Sequence, residues 1–77
     1  MTDQQAIASV RVELRRAREK FPRFNSAHEG YAVILEEMDE LWDEVMKKRV
    51  ARSKSVMREE AIQIAAMAVR FMVDVCS

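Results

Sequence analysis

A single glycine and a single proline in 77 residues are the tightest constraint on what this chain can fold into. Tight β-hairpin turns draw on glycine for their positive-φ positions. Phosphate loops and dinucleotide fingerprints need several glycines in fixed register. The chain can supply neither, and what remains is helix. The proline, Pro22, lacks a backbone donor and pushes Phe21 out of the α region, so it marks a helix end.

The periodicity agrees. Ile7, Val10, Leu14, Ala17 and Phe21 recur at steps of three and four, which is one face of a helix from about Asp3 to Lys20. Asp3 is its expected N-cap. Arg11, Arg15, Arg16, Arg18 and Lys20 weight its C-terminal half, where the helix dipole favours cations. The connection Phe21-Pro22-Arg23-Phe24-Asn25 carries two aromatics and is expected to pack down. Ser26 and Glu29 then form a capping-box pattern. Tyr31, Ile34, Leu35, Met38, Leu41, Trp42 and Val45 continue at helical spacing toward Lys47-Lys48-Arg49, predicting a second helix over 26–49. After a polar connection capped by Ser53 or Ser55, a third helix is expected from about Val56 to Val75. Its apolar residues, Ile62, Ile64 through Val69, Phe71 through Val73, and Val75, surround most of it. Such a helix must be buried on several sides.

A chain of 77 residues buries only about 60% of its unfolded surface and is marginal alone. One cysteine, Cys76, excludes an intrachain disulfide, and with one histidine it excludes a Cys/His zinc site. The lone histidine also weighs against a serine triad. The expectation is one domain, 1–77, all-α. Three helices are expected, the second and third as a long antiparallel hairpin carrying the functional motifs. The third helix would pack on a second copy, giving a helical-bundle homodimer or homotetramer. Thirteen basic and thirteen acidic residues cancel, where a nucleic-acid binder tends to be basic. No apolar run could span a bilayer. Met1 to Gln5 are neither basic nor apolar, unlike a signal peptide, and a free cysteine fits a reducing compartment. A cytoplasmic protein without nucleic-acid or membrane partners is expected.

The most informative stretch is Glu36-Glu37-Met38-Asp39-Glu40-Leu41-Trp42-Asp43-Glu44, six of whose nine residues are acidic. At about 100° per residue, Glu37, Glu40 and Glu44 share a strip beside the apolar face. Like charges at this spacing destabilise a helix, and a divalent cation removes that cost. Carboxylate ligands suit magnesium or manganese, and magnesium brings phosphates with it. On the third helix Glu60, Gln63, Met67 and Asp74 share a strip, with Arg70 at its edge, and polar residues within an apolar helix generally have partners. In an antiparallel hairpin Glu37, Glu40, Glu60 and Gln63 would meet. The competing reading is a solvated face held by i,i+4 pairs, Asp43 with Lys47 and Glu44 with Lys48.

The string Glu36-Glu37-Met38-Asp39-Glu40-Leu41, followed by Glu59-Glu60-Ala61-Ile62-Gln63-Ile64, resembles the MazG-like nucleoside triphosphate pyrophosphohydrolases, all-α enzymes with an E-x-x-E motif on one helix and an E-x-x-D motif on the next. Asn25-Ser26-Ala27-His28-Glu29-Gly30-Tyr31 looks like the start of the motif helix in small phage-type members. The resemblance covers roughly residues 20 to 76. It implies magnesium-dependent hydrolysis of (d)NTP to (d)NMP and pyrophosphate. Glu37, Glu40 and Glu60 would be metal ligands and Glu36 a candidate for water or a second metal. Gln63 stands where the second motif has Asp; its amide oxygen can still ligate, with one negative charge fewer. His28, in the first turn of its helix, is either a surface residue or a phosphate or base contact. The cluster Lys47, Lys48, Arg49, Arg52 and Lys54 is either a solvated helix end or a contact for the triphosphate tail. Trp42 and Tyr31 are either core residues or, for Trp42, a base-stacking platform. A non-catalytic helical module that binds nucleotide or mediates assembly is the alternative function.

Overall fold

A computed structural model describes all 77 residues. It is all-helical: α1 is Asp3–Lys20, α2 is Ala27–Val45 and α3 is Lys54–Asp74, with a 3₁₀ turn at Arg49–Ala51.

Each helix starts on a side-chain cap. α1 is capped by Thr2 rather than Asp3. The Gln5 N–H donates to Thr2 Oγ1 at 3.1 Å and the Thr2 N–H donates to Gln5 Oε1 at 2.9 Å, satisfying two donors reciprocally. Phe21 is extended (φ −124°, ψ 146°), as a residue before proline must be. α2 is capped by Ser26, whose hydroxyl accepts the Glu29 N–H at 3.1 Å. The Glu29 carboxylate reaches one residue beyond the expected box, to the Asn25 N–H at 3.0 Å. α3 starts at Ser53, whose Oγ accepts the Val56 N–H at 3.2 Å.

α2 stops at Val45, earlier than the expected Arg49. The reason is tertiary. Arg52 Nε donates to the carbonyls of Val45 at 2.7 Å and Lys47 at 3.1 Å, taking up acceptors the helix end leaves open. Buried Glu44 accepts the Ser53 N–H at 2.9 Å and Lys47 Nζ at 3.0 Å. The expected pairs of Asp43 with Lys47 and Glu44 with Lys48 are replaced by this i,i+3 pair.

α3 packs against both α1 and α2, whose own backbones stand further apart. The core is Ala17, Phe24, Ala66 and Met67, ringed by Val10, Leu14, Val33, Ile34, Phe71 and Val75. Gly30 sets the approach of α2: a Cβ there would lie 2.6 Å from the Phe71 ring and 3.2 Å from Phe24. The aromatic connection does pack down, through Phe24.

Asp74 ties the ends together. Its side chain is fully buried (0% exposed) and meets Arg18 Nη1 at 2.8 Å, with Arg23 at 3.7 Å. It also accepts the Phe24 N–H at 3.0 Å. Burial pushes this carboxyl up, but the Phe24 amide and the Arg18 and Arg23 guanidinium groups outweigh it and hold the pKa below its ordinary value. One side chain thus joins the end of α1, the connection and the end of α3.

This core is small for what surrounds it. Only seven of 77 residues are buried. The accessible surface is 5846 Å², where a compact chain of this mass exposes about 4,900 Å². The radius of gyration is 13.3 Å against about 11.5 Å for a compact domain. Trp42 and Tyr31, for which core packing was one reading, are exposed. Trp42 is 60% exposed and forms an outward apolar stripe with Tyr31, Leu35 and Met38; the four fall within about 60° of the α2 wheel.

Asp74→Ala leaves a buried amide and a guanidinium without their acceptor. It should cost about 2 kcal/mol in urea unfolding. Because the folded pKa is depressed, the wild-type contribution is present above about pH 4 and lost as pH falls further; Asp74→Ala should show a shallower acid loss.

Candidate metal centre and the adjoining cavity

Glu37 and Glu40 lie one turn apart on α2, and Glu60 faces them from α3. One carboxylate oxygen from each lies within 4.8 Å of the others. Glu37 and Glu60 are half-buried, and Glu40 is exposed. None of the three forms an ion pair with Lys or Arg. One oxygen of Glu37 and one of Glu60 are buried with no hydrogen-bond partner, a costly condition for carboxylates.

The electrostatics follow. Burial, then repulsion from Glu40 and Glu60, pushes the Glu37 carboxyl up to about 7. Burial and the neighbouring Glu40 also raise Glu60. A carboxyl at about 7 is only about half ionised at neutral pH in the absence of a cation. Three carboxylates from two helices, two with orphaned buried oxygens, fit a hard divalent cation that takes oxygen ligands. The solvated-face reading of the acidic run holds for Glu36, Asp39 and Asp43, which are exposed, but not for Glu37.

Next to the cluster is a cavity of about 290 Å³, with Glu37 in its wall together with Glu36, Gln63 and Arg70. α1 contributes Arg16 and Ala17, and the connection contributes Phe21, Pro22 and Phe24. Gln63, one turn beyond Glu60, is thus on the cavity side of the cluster. His28, exposed in the first turn of α2, does not line this cavity. Neither do Lys47, held by Glu44, and Lys48, which precedes the 3₁₀ turn.

Arg70 is the residue that sequence reasoning underweighted. It is 3% exposed. Nη2 donates to the Pro22 carbonyl at 2.9 Å and Nη1 to the Met67 sulfur at 3.1 Å. The guanidinium stacks 4.1 Å from the Phe24 ring centroid. Burial, and then Arg18 nearby, hold its pKa below the ordinary arginine value. Its place at the edge of the Glu60–Gln63–Met67 strip was the available signal.

Comparison with family models, curated proteins and solved structures finds no match. No helix is long and apolar enough to cross a membrane.

A raised carboxylate pKa predicts a pH dependence of definite sign. Glu37 titrates at about 7 in the folded chain and near 4.3 unfolded. Without metal, its contribution to stability is full below about pH 4.3 and is lost as pH rises toward about 7. Urea unfolding of metal-free protein between pH 5 and 8 should show this loss, and Glu37→Gln should flatten it. A wild-type profile equally flat would remove the burial-and-repulsion account of the cluster.

Proposed function

We propose that this chain is a magnesium-dependent nucleoside triphosphate pyrophosphohydrolase of the MazG-like type, cleaving (d)NTP between the α and β phosphates. The supporting observation is the convergence of Glu37, Glu40 and Glu60, the three positions that the motif resemblance marks as metal ligands, with orphaned oxygens on two of them. Magnesium, or manganese, bound there would neutralise triphosphate charge and polarise the phosphorus centre. The chain's own residues then have distinct tasks. Glu37, Glu40 and Glu60 hold the cation. Glu36, on the cavity wall beside Glu37, would orient a water. Gln63 offers a neutral oxygen at the edge of the same site. Lys47, Lys48 and His28 would serve the phosphates from a neighbouring copy.

An antiparallel α2–α3 hairpin and a homo-oligomer belong to the same reading. The first is supported by three proximities along the helices: Glu44 with Ser53, Glu37 with Glu60, and Gly30 with Phe71. The second is supported by the surplus surface and by the apolar stripe of Tyr31, Leu35, Met38 and Trp42. Sedimentation should show a dimer or tetramer. Trp42→Glu, on the exposed stripe, should shift it toward monomer; a folded wild-type monomer at micromolar concentration would refute the assembly.

Gln63 favours a second reading, a non-catalytic module that keeps the scaffold and binds nucleotide without turnover, because a neutral amide there weakens the charge that activates water. Calorimetric titration of magnesium, with and without a non-hydrolysable dNTP analogue, tests the metal-phosphate site. Binding should require both components and vanish in Glu37→Gln. At a ligand concentration of 100 Kd the folded state should gain about 2.7 kcal/mol. Turnover assays then separate the two readings: Glu37→Gln and Glu40→Gln should abolish hydrolysis without unfolding the chain, and Gln63→Asp should tighten metal binding. No heat under either condition would discard the enzyme reading.

A further inference from the structure

Arg70 is a charged side chain whose surroundings do not satisfy it. It makes no ion pair. The nearest acid on its own helix, Asp74, is taken up by Arg18, Arg23 and the Phe24 amide. One of its two hydrogen bonds goes to sulfur, a weak acceptor. Its Nε–H is buried with no acceptor at all. Such a donor costs free energy until something accepts from it, and Arg70 lines the cavity.

The cavity walls narrow the choice of acceptor. Glu36 and Glu37 stand in the same walls, so an anion would enter against negative charge. A neutral group fits better if it brings an acceptor for Arg70 and an N–H donor for the carboxylates. The connection supplies flat apolar surface, with the Phe24 ring already stacked on the Arg70 guanidinium. A volume of about 290 Å³ lies at the small end of ligand pockets, roughly 300–1,000 Å³, enough for part of a nucleotide. Its position also suits one. Glu37 belongs both to the metal cluster and to this cavity. Arg70 lies ten residues beyond Glu60, about 15 Å along α3, and its guanidinium leans back onto Met67 toward the cluster.

We propose that the cavity is a nucleobase recess in which the Arg70 Nε–H donates to an exocyclic carbonyl oxygen, so that the chain selects guanine, uracil or thymine nucleotides over adenine ones. Arginine pairs readily with base carbonyl oxygens, and adenine has none. A site built around such a donor rejects a ligand that leaves it unpaired. Gln63 and Glu36, on the same wall, meet the ring N–H beside that carbonyl. The placement of the triphosphate rests on the function proposed above; the recess itself needs no metal.

The test follows the Arg70 Nε–Hε cross-peak by ¹H–¹⁵N NMR while thymidine, deoxyguanosine or deoxyadenosine is added to metal-free protein. Thymidine and deoxyguanosine should move the peak, with deoxyadenosine at least tenfold weaker. Arg70→Lys keeps the charge but removes the Nε donor and should erase the preference; should that variant not fold, the wild-type titration decides alone. Equal shifts with deoxyadenosine, no shift with any nucleoside, or a shift with inorganic phosphate alone would each overturn the recess. Manganese added separately should broaden the Glu37 and Glu60 signals. Broadening without any nucleoside response overturns the recess and leaves the metal centre standing. A nucleoside response without broadening overturns the metal centre and leaves the recess standing.

Discussion

A helix apolar on most sides, in a chain with only two other helices to cover it, is the constraint from which the rest of this structure follows. α3 has to serve as the shared wall. α1 takes one side and α2 another, and their own backbones stand further apart. The space left between them is the cavity, and the surface left uncovered is what enlarges the accessible area beyond that of a compact chain. Surface-to-volume scaling makes this outcome hard to avoid at 77 residues.

The carboxylates divide into two kinds by environment rather than by type. Asp74 and Glu44 are buried and paired with cations, each also taking a backbone N–H, and their pKa values are held down. They fasten the two ends of the structure. Glu37 and Glu60 have buried oxygens that nothing satisfies, and theirs are pushed up. Folding has gathered the second kind in one place at a cost, and the repulsion has no structural return within the chain itself. Arg70 is the cationic counterpart: buried, stacked and incompletely paired. Unsatisfied groups of opposite sign thus sit at the cluster and along the cavity that adjoins it.

The parts of this arrangement legible in the sequence are those with local causes. The three-and-four spacing from Ile7 to Ala17 and the stop before Pro22 placed α1 within a residue of its limits. Ser26 marked the start of α2, and Ser53 was one of two candidate caps, with Ser55, for an α3 that begins at Lys54 rather than near Val56. The wheel put Glu37 and Glu40 on a common strip and Glu60 on its own. The misplaced features have partners distant in sequence or a competing local pattern. Thr2 displaced Asp3 as cap because Gln5 completes a reciprocal box. α2 ended early because Arg52 and Ser53 reach back to it. Asp74 was visible as a polar residue on a strip, but its clamp needs Arg18 and Phe24, 56 and 50 residues away. Trp42 followed the apolar period faithfully, yet periodicity says only that a face is apolar and cannot say which neighbour covers it.

The wider spacing of the α1 and α2 backbones has a consequence for the cavity between them. The three clustered carboxylates belong to α2 and α3, whose mutual packing is fixed by Gly30 against Phe71 at one level and by Glu44 against Ser53 at another. The far wall of the cavity belongs to α1 and the connection that ends it. The Arg18–Asp74 pair and buried Ala17 hold α1 on α3, so the cavity wall on the α1 side and the carboxylate cluster are set by separate contacts. Substitution of Arg16, on the cavity side of α1, alters the cavity without touching a carboxylate of the cluster.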